Sequence, residues 1–309
     1  MRALLVVNPS ATTTSPRTRE VLVRALGSEI ELEVAQTDHR GHAFELGRRA
    51  AAEDLDVVVS LGGDGTVNEV VNGLLTEGPR SNLPHLAVVP GGSTNVFARA
   101  VGLPRDPVEA TGAILDALRD GSRRTIGLSR AGQRWFTTSA GLGLDAEVVH
   151  AVDQRRSDRG IRHSGRLYVG TALRRFLRDT DRSTPALTLH RTGVDPISGL
   201  FLVLVGNSSP WTYLRSHAVN PTPAASFETG MDVFALTRLT VPRTLNHVRR
   251  FFATGGNHPR GRDVVALHDQ SAFSLESSRP IAFQVDGEYV GEVEALDFAA
   301  VPGALTIVV

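Results

Sequence analysis

The sequence predicts an N-terminal α/β domain with a doubly wound parallel sheet, followed by a mainly antiparallel β-strand C-terminal domain. Three observations lead there. Over residues 1–120, short β-branched apolar runs alternate with amphipathic, capped segments, the pattern of a parallel sheet covered by helices on both faces. Glycine- and hydroxyl-rich loops follow two successive strands. Beyond about residue 124 the texture changes to strand-like runs separated by turn residues. The 309 residues suit two domains, expected at 1–124 and 125–309 with residues 121–124 as the linker.

Each element has its own signal. Residues 3–7 form a short apolar strand. Ser15-Pro16 starts a helix, with Pro at the first helical position and Gly27 at its end. Residues 31–35 read as the second strand and 41–52 as a helix. Residues 56–61, centred on Val57-Val58-Val59, are the third strand, followed by a helix from Val67 to about Leu75. Residues 86–89 are the fourth strand. A short helix over 96–101 is closed by Gly102 and Pro104, and another spans about 107–119. In the second half, strands are expected at 135–139, 186–190, 200–205, 233–236, 281–285, 292–298 and 305–309.

Composition excludes several chemistries. Acidic and basic residues balance at 33 each, which gives no nucleic-acid footprint. There is no cysteine, so disulfides, thiolate metal sites and thiol nucleophiles are excluded. All the basic residues are Arg. Without Lys, a Walker A loop, a protein-kinase strand Lys and Schiff-base chemistry are excluded. Any phosphate site must use backbone N–H groups, hydroxyls, Arg and a metal ion. The first residues carry too short an apolar run for a signal peptide, and no stretch reaches the ~18 apolar residues of a membrane span. The expected localisation is cytoplasmic with peripheral membrane association. Residues 155–182 hold nine Arg against three Asp, either an ordinary solvated helix face or a surface for anionic lipid.

Two loops carry the site. Gly62-Gly63-Asp64-Gly65-Thr66 lies between the third strand and its helix, where glycines allow close approach and a helix N-terminus offers N–H groups and a positive dipole end. Thr66 and Glu69 fit a capping box, so a well-capped turn is the alternative. Asp64 is out of place in an anion loop unless a metal or a catalytic proton is involved. Pro90-Gly91-Gly92-Ser93-Thr94-Asn95 repeats the strand–loop–helix logic, with N-capping as its plain alternative. Asn8-Pro9-Ser10 ends the first strand at the same sheet edge, where ligands of parallel sheets bind. Asp286-Gly287 is a hairpin signal; extended through Gly287, Asp286 and Glu288 would face one side. Asp145 and Glu147 have the same spacing, with a solvated strand edge as the alternative. The ten His show no metal spacing; His39 and His42 read as surface residues.

Together these segments resemble the diacylglycerol kinase catalytic-domain family, which includes sphingosine and bacterial lipid kinases. The matching residues are Asn8-Pro9, the run from Gly62 to Gly73, the run from Pro90 to Arg99, the run from Gly141 to Val148, and Val285-Asp286-Gly287-Glu288. The resemblance implies an α/β ATP-binding domain akin to that of NAD kinases, a β-sandwich domain carrying the lipid, and a site in the cleft between them. The activity implied is transfer of the ATP γ-phosphoryl group to a lipid hydroxyl with Mg²⁺, diacylglycerol being the leading acceptor. Another lipid, NAD, or a silent nucleotide-binding role are the alternatives. It further implies that residues 63–69, including Asn68 and Glu69, cradle the nucleotide, and that Thr37 contacts it. Ser93 replaces the usual Thr with its hydroxyl kept. Glu288 matches the proton acceptor, with Asp286 beside it, and Asp64 matches a catalytic acid of the sphingosine kinase branch. Asp145 and Glu147 are lipid-contacting candidates, and Arg99 is the candidate cation, with an ordinary solvated helix Arg as the alternative. Val96 departs from the usual Asp. Thr229, where many bacterial members carry a carboxylate for a structural Mg²⁺, puts that site in doubt. The expected partners are ATP and a lipid at a membrane surface, with no nucleic acid and a homodimer as an option.

Overall fold

The computed structural model describes residues 1–11, 15–159, 181–214, 216–252 and 259–309. The arginine-rich stretch is therefore outside the described residues over 160–180. Contacts group the chain into two units, residues 1–128 with 302–309, and residues 129–301.

In the first unit β1 (Arg2–Val7), β2 (Glu31–Gln36), β3 (Val57–Gly62) and β4 (His85–Pro90) alternate with α1 (Pro16–Gly27), α2 (His42–Ala52), α3 (Asp64–Leu74), α4 (Val96–Ala100) and α5 (Pro107–Asp120). The pairs β1/β2, β1/β3 and β3/β4 are all parallel, so the strand order is β2-β1-β3-β4. Val57, Val58 and Val59 are fully buried, as a central strand covered on both faces requires. Helix α1 begins at Ser15, whose hydroxyl accepts from Thr18 N–H, with Pro at the first turn. Helix α5 begins at Asp106, which accepts from Val108 and Glu109 N–H, and ends at Gly121 with φ +71°. The Ser15-Pro16 start acts as expected from the sequence, while Gly121, expected in the linker, closes α5.

The parallel α/β half and the antiparallel second half were both legible; the boundary region was less so. The division at 124/125 falls inside β5 (Arg123–Ala131). The chain's last residues group with the first unit, where Ile307 pairs in parallel with Leu86.

Helices α2 and α3 cross with their backbones in contact. A Cβ on Gly73 would sit 2.2 Å from the Phe44 carbonyl oxygen, and one on Gly47 would sit 2.6 Å from that of Val70. The contact sets the position of Glu69 on α3. Its Oε1 accepts from Gly41 N–H at 2.9 Å and its Oε2 from Ala43 N–H at 3.2 Å. Gly41, the N-cap of α2, has no side chain to cap with, and Glu69 supplies the acceptor from the neighbouring helix. The expected capping box is thereby corrected. Helix α3 starts at Asp64 rather than Val67, its N-cap is Gly63, and no side chain caps it.

In the second unit β6 (Arg134–Phe136) and β7 (Ser139–Gly143) replace the single strand expected over 135–139. β7 pairs antiparallel with β10 (Leu202–Gly206) and with β15 (Ala272–Val285). Next, β10 pairs with β13 (Met231–Leu236), and β13 with β14 (Val264–Gln270). On the other side β15 pairs with β16 (Glu288–Val308) and β8 (Leu187–Arg191), and β8 with β9 (Val194–Leu200). A small hairpin joins β11 (Thr212–Leu214) to β12 (His217–Val219). Phe136, Phe273 and Phe298 anchor one core, with the Phe273 and Phe298 rings stacked at 4.8 Å. Two helices went unread in the sequence, α6 (Leu144–Arg159) and α7 (Val241–Phe251). Thr240 followed by Pro242 was the available start signal for α7.

Because the Gly73 Cβ position is filled by backbone rather than by a flexible side chain, Gly73→Ala is expected to cost about 1–3 kcal/mol. Gly27→Ala, with nothing within 4 Å of its Cβ position, is the control. A urea midpoint lowered for the first and held for the second checks the α2–α3 contact.

Candidate functional site

Parallel pairing brings the carboxyl ends of β1, β2, β3 and β4 to one edge, and the residues leaving those ends interlock. Asn8 N–H donates to the Leu61 carbonyl at 2.9 Å, and Thr37 N–H to that of Val7 at 2.9 Å. Asn8 Oδ1 accepts from Ser10 N–H at 2.9 Å, and its Nδ2 donates to Thr66 Oγ1 at 3.0 Å. Pro9 lies in the turn between these bonds. Thr66 is thus a tether to the first loop and does not cap its own helix.

The two glycine loops lie against each other. Gly91 N–H donates to the Gly62 carbonyl at 2.7 Å. A Cβ on Gly92 would lie 2.7 Å from Gly63 Cα, and one on Gly91 would lie 3.1 Å from Gly62 Cα. Within the second loop, Asn95, at φ +48°, accepts from Gly92 N–H and donates to the Gly92 carbonyl, both at 2.8 Å. Part of the glycine content therefore serves loop-to-loop packing.

Asp64 joins the loops through its side chain. Its Oδ1 accepts from Phe97 N–H at 3.1 Å and its Oδ2 from Thr94 Oγ1 at 3.0 Å. The carboxylate so meets the first turn of α4, whose own N-cap, Asn95, makes no capping bond because its side chain is turned to Gly92. This accounts for an acid in an anion loop without a metal or a proton transfer. The first backbone bond within α3 runs from Val67 N–H to Gly63, so the N–H groups of residues 64–66 precede the helical ladder. Gly63, Asp64 and Gly65 are partly exposed, Ser93 is exposed, and Thr37, Thr94 and Arg99 are half-buried. Asn68 is buried, and its carbonyl and Oδ1 accept from Asn72 Nδ2 at 2.8 and 3.1 Å. It lies inside the helix rather than at the edge. Val96, the departure from the expected Asp, is buried.

Beside Thr37, Asp38 Oδ1 lies 2.5 Å from His39 Nδ1 and 2.7 Å from His42 Nδ1. The sequence reading saw no metal spacing among the His; in space these three could offer ligand atoms all within 4.8 Å of one another. The hydrogen bond to Asp38 raises the His39 pKa, and the bonds to His39 and His42 lower that of Asp38.

In the second unit the Asp286-Gly287 turn has φ +47° and +79°, the geometry of a two-residue hairpin, with Val285 opposite Glu288. The extended reading that aligned Asp286 with Glu288 is corrected. Asp286 accepts five hydrogen bonds, from the N–H and Oγ1 of Thr137 and of Thr138, each at 2.8 Å, and from Ser139 N–H at 3.0 Å. Thr137 and Thr138 form the break between β6 and β7, and Ser139 starts β7. Glu288 is partly exposed, with Oε2 3.9 Å from Arg134 Nη2. Asp145 and Glu147 lie in the first turn of α6 and not on a strand. Two residues apart on a helix, they point in different directions. Asp145 is buried, with Oδ2 accepting from Gln284 Nε2 at 2.7 Å, a partner sequence reasoning missed because it lies 139 residues away. Thr229 hydroxyl bonds to the Ser226 carbonyl at 3.2 Å, and the buried Asp232 accepts from His268 Nδ1 at 2.6 Å.

A parallel α/β unit with loops gathered at its carboxyl edge, joined to an antiparallel strand-rich unit, is the class of the diacylglycerol and NAD kinase fold. Residues 2–130 match the model of the diacylglycerol kinase catalytic domain family. The chain is similar to the diacylglycerol kinase of Bacillus subtilis (strain 168), 33% identical over 156 residues, half of each chain. The matched part thus spans half the length of that relative. It is also 24% identical over 318 residues to the diacylglycerol kinase of Staphylococcus aureus (strain MRSA252), covering 95% of this chain and 88% of the relative. A crystal structure of a diacylglycerol kinase from Bacillus anthracis superimposes with TM-score 0.71 at 19% identity, over 99% of this chain and 96% of the other. An NAD kinase from Archaeoglobus fulgidus, in complex with ATP, gives 0.53 at 13% identity over 100% and 94%. These two likenesses are of fold.

Asp286→Asn would set an amide N–H₂ against donors and is expected to destabilise by about 3 kcal/mol, two or more charge-assisted bonds being lost. Glu288→Gln should leave the melting temperature nearly unchanged. Thermal unfolding of both variants checks that Asp286 anchors the β6–β7 break.

Proposed function

We propose that the chain is an ATP-dependent lipid kinase, transferring the γ-phosphoryl group to a lipid hydroxyl with diacylglycerol as the leading acceptor. One observation carries the reading. Three loops converge on the start of α3, where the N–H groups ahead of the helical ladder and the positive dipole end stand beside partly exposed Gly63 and Gly65. The match of residues 2–130 to the family model and the relatives' names as diacylglycerol kinases support the choice of reaction.

In a chain without Lys, the phosphates would be held by backbone N–H of residues 63–66, by the hydroxyls of Ser93 and Thr94, and by Ser10. Thr37 would meet the nucleotide from the end of β2. Asp64 and Glu69 act as positioning residues, through α4 and α2 respectively. Mg²⁺ would supply charge neutralisation at the phosphates. Arg99, on α4, would be the added side-chain cation. Glu288 would accept the proton of the attacking hydroxyl as the oxygen bonds to phosphorus and ADP departs. Its partial exposure suits it to that task, whereas both oxygens of Asp286 are engaged.

The test offers purified protein labelled ATP and Mg²⁺ with diacylglycerol, a sphingoid base and NAD in parallel. Label in phosphatidic acid is the expected result. Label only in another acceptor reassigns the substrate, and label in no product despite measurable ATP binding identifies a regulatory nucleotide binder. Glu288→Ala should lower kcat by about 10²–10⁴-fold; an unchanged kcat removes Glu288 as the base.

A further inference from the structure

Helix α7 buries one face and leaves an apolar stripe exposed on another. Thr244, His247 and Phe251 face inward, with the Phe251 ring edge-on to Phe234 at 5.1 Å. Leu245, Val248 and the C-cap residue Phe252 follow the i, i+3, i+7 spacing of that stripe. They are 48%, 43% and 37% exposed. The other exposed large hydrophobics among the described residues are Met1 and single valines, which need no explanation. Three on one stripe do.

The charge around the stripe is one-sided. From Arg238 to Arg262 the sequence has six Arg and no Asp or Glu, in a chain whose acids and bases otherwise balance. Arg238 and Arg243 share Asp263. Arg249 donates to Asn246 Oδ1 and Arg250 to the Arg260 carbonyl, so both keep their charge without a carboxylate in those contacts. Arg249, three residues before Phe252 and four after Leu245, borders the stripe.

We propose that α7 docks the chain on an anionic membrane surface. Leu245, Val248 and Phe252 enter the headgroup boundary while Arg249 and Arg250 extend to lipid phosphates, the arrangement of an interfacial amphipathic helix. An apolar stripe alone would fit a protein partner or a second copy equally. The acid-free arginine border selects a polyanionic surface, and two like copies would bring these arginines together. The inference names how a lipid kinase would reach its acceptor and so rests on the function proposed above, yet its test needs neither ATP nor acceptor.

The protein is sedimented with phosphatidylcholine vesicles, with and without phosphatidylglycerol. Binding is expected to the anionic vesicles and to weaken as salt rises. Arg249→Glu with Arg250→Glu should weaken it by about fivefold per residue or more. Leu245→Asn with Val248→Asn should weaken it about tenfold. All four side chains point outward, and unchanged circular dichroism melting confirms folding. Two results overturn the proposal: wild-type binding that is absent, or that neither pair alters. A third is a concentration-dependent dimer that the Leu245/Val248 variant makes monomeric, which assigns the stripe to a second copy. Vesicle binding without label in any lipid would sink the kinase reading and leave the docking surface standing.

Discussion

The site depends on two backbones approaching each other without side chains between them. Gly62 and Gly63 leave β3 directly beside Gly91 and Gly92 leaving β4, and a Cβ at position 92 would come within 2.7 Å of Gly63 Cα. The hydrogen bond from Gly91 N–H to the Gly62 carbonyl, at 2.7 Å, carries the β3–β4 ladder one step past the sheet. Parallel strands hold a fixed spacing, so their continuing loops can stay in contact only if both are bare of side chains. This contact sets where α3 and α4 begin, and hence where their N–H groups point.

Acidic residues then complete the helix starts from outside. Asp64 meets the α4 start, whose Asn95 side chain is turned to Gly92, and Glu69 the α2 start, whose Gly41 has no side chain to cap with. Asp286 does the same for the turn between β6 and β7. A carboxylate is suited to this because it accepts several N–H groups at once and is favoured by the helix dipole. Removal of any of them would leave buried donors unmet as well as a charge missing. Loss of activity on such a substitution therefore does not by itself mark a catalytic group.

Most of the α/β half was legible because its signals are local. Ser15-Pro16 caps through neighbours within a few residues, and the valines of β3 state their burial directly. The Asp286-Gly287 hairpin was legible for the same reason. What escaped were partnerships across long separations. Thr66 and Glu69 match a local capping box in sequence, yet bind Asn8, 58 residues away, and Gly41, 28 away. No periodicity encodes such a choice; it follows from the α2–α3 crossing that Gly47 and Gly73 permit. Helix α7 was hidden differently: its outward Leu245 and Val248 widen the apolar pattern until one buried face no longer stands out.

The absence of Lys gives these choices a common direction. A Lys-based phosphate loop brings a mobile cation to the ligand on a flexible stem. On the reading proposed above, the corresponding charge would come chiefly from N–H groups at a helix start, fixed by the fold, together with Arg99 on α4. Fixed donors work only if the fold holds them in place beforehand, since they cannot swing to follow a displaced phosphate. The interlocked glycines, the Asn8–Thr66 tether and the Asp64 bridge hold three loops in place from three strands. Rigidity at the sheet edge would then be the physical counterpart of the missing lysine, supplied by the hydrogen bonding among residues 8, 64, 66, 94 and 97.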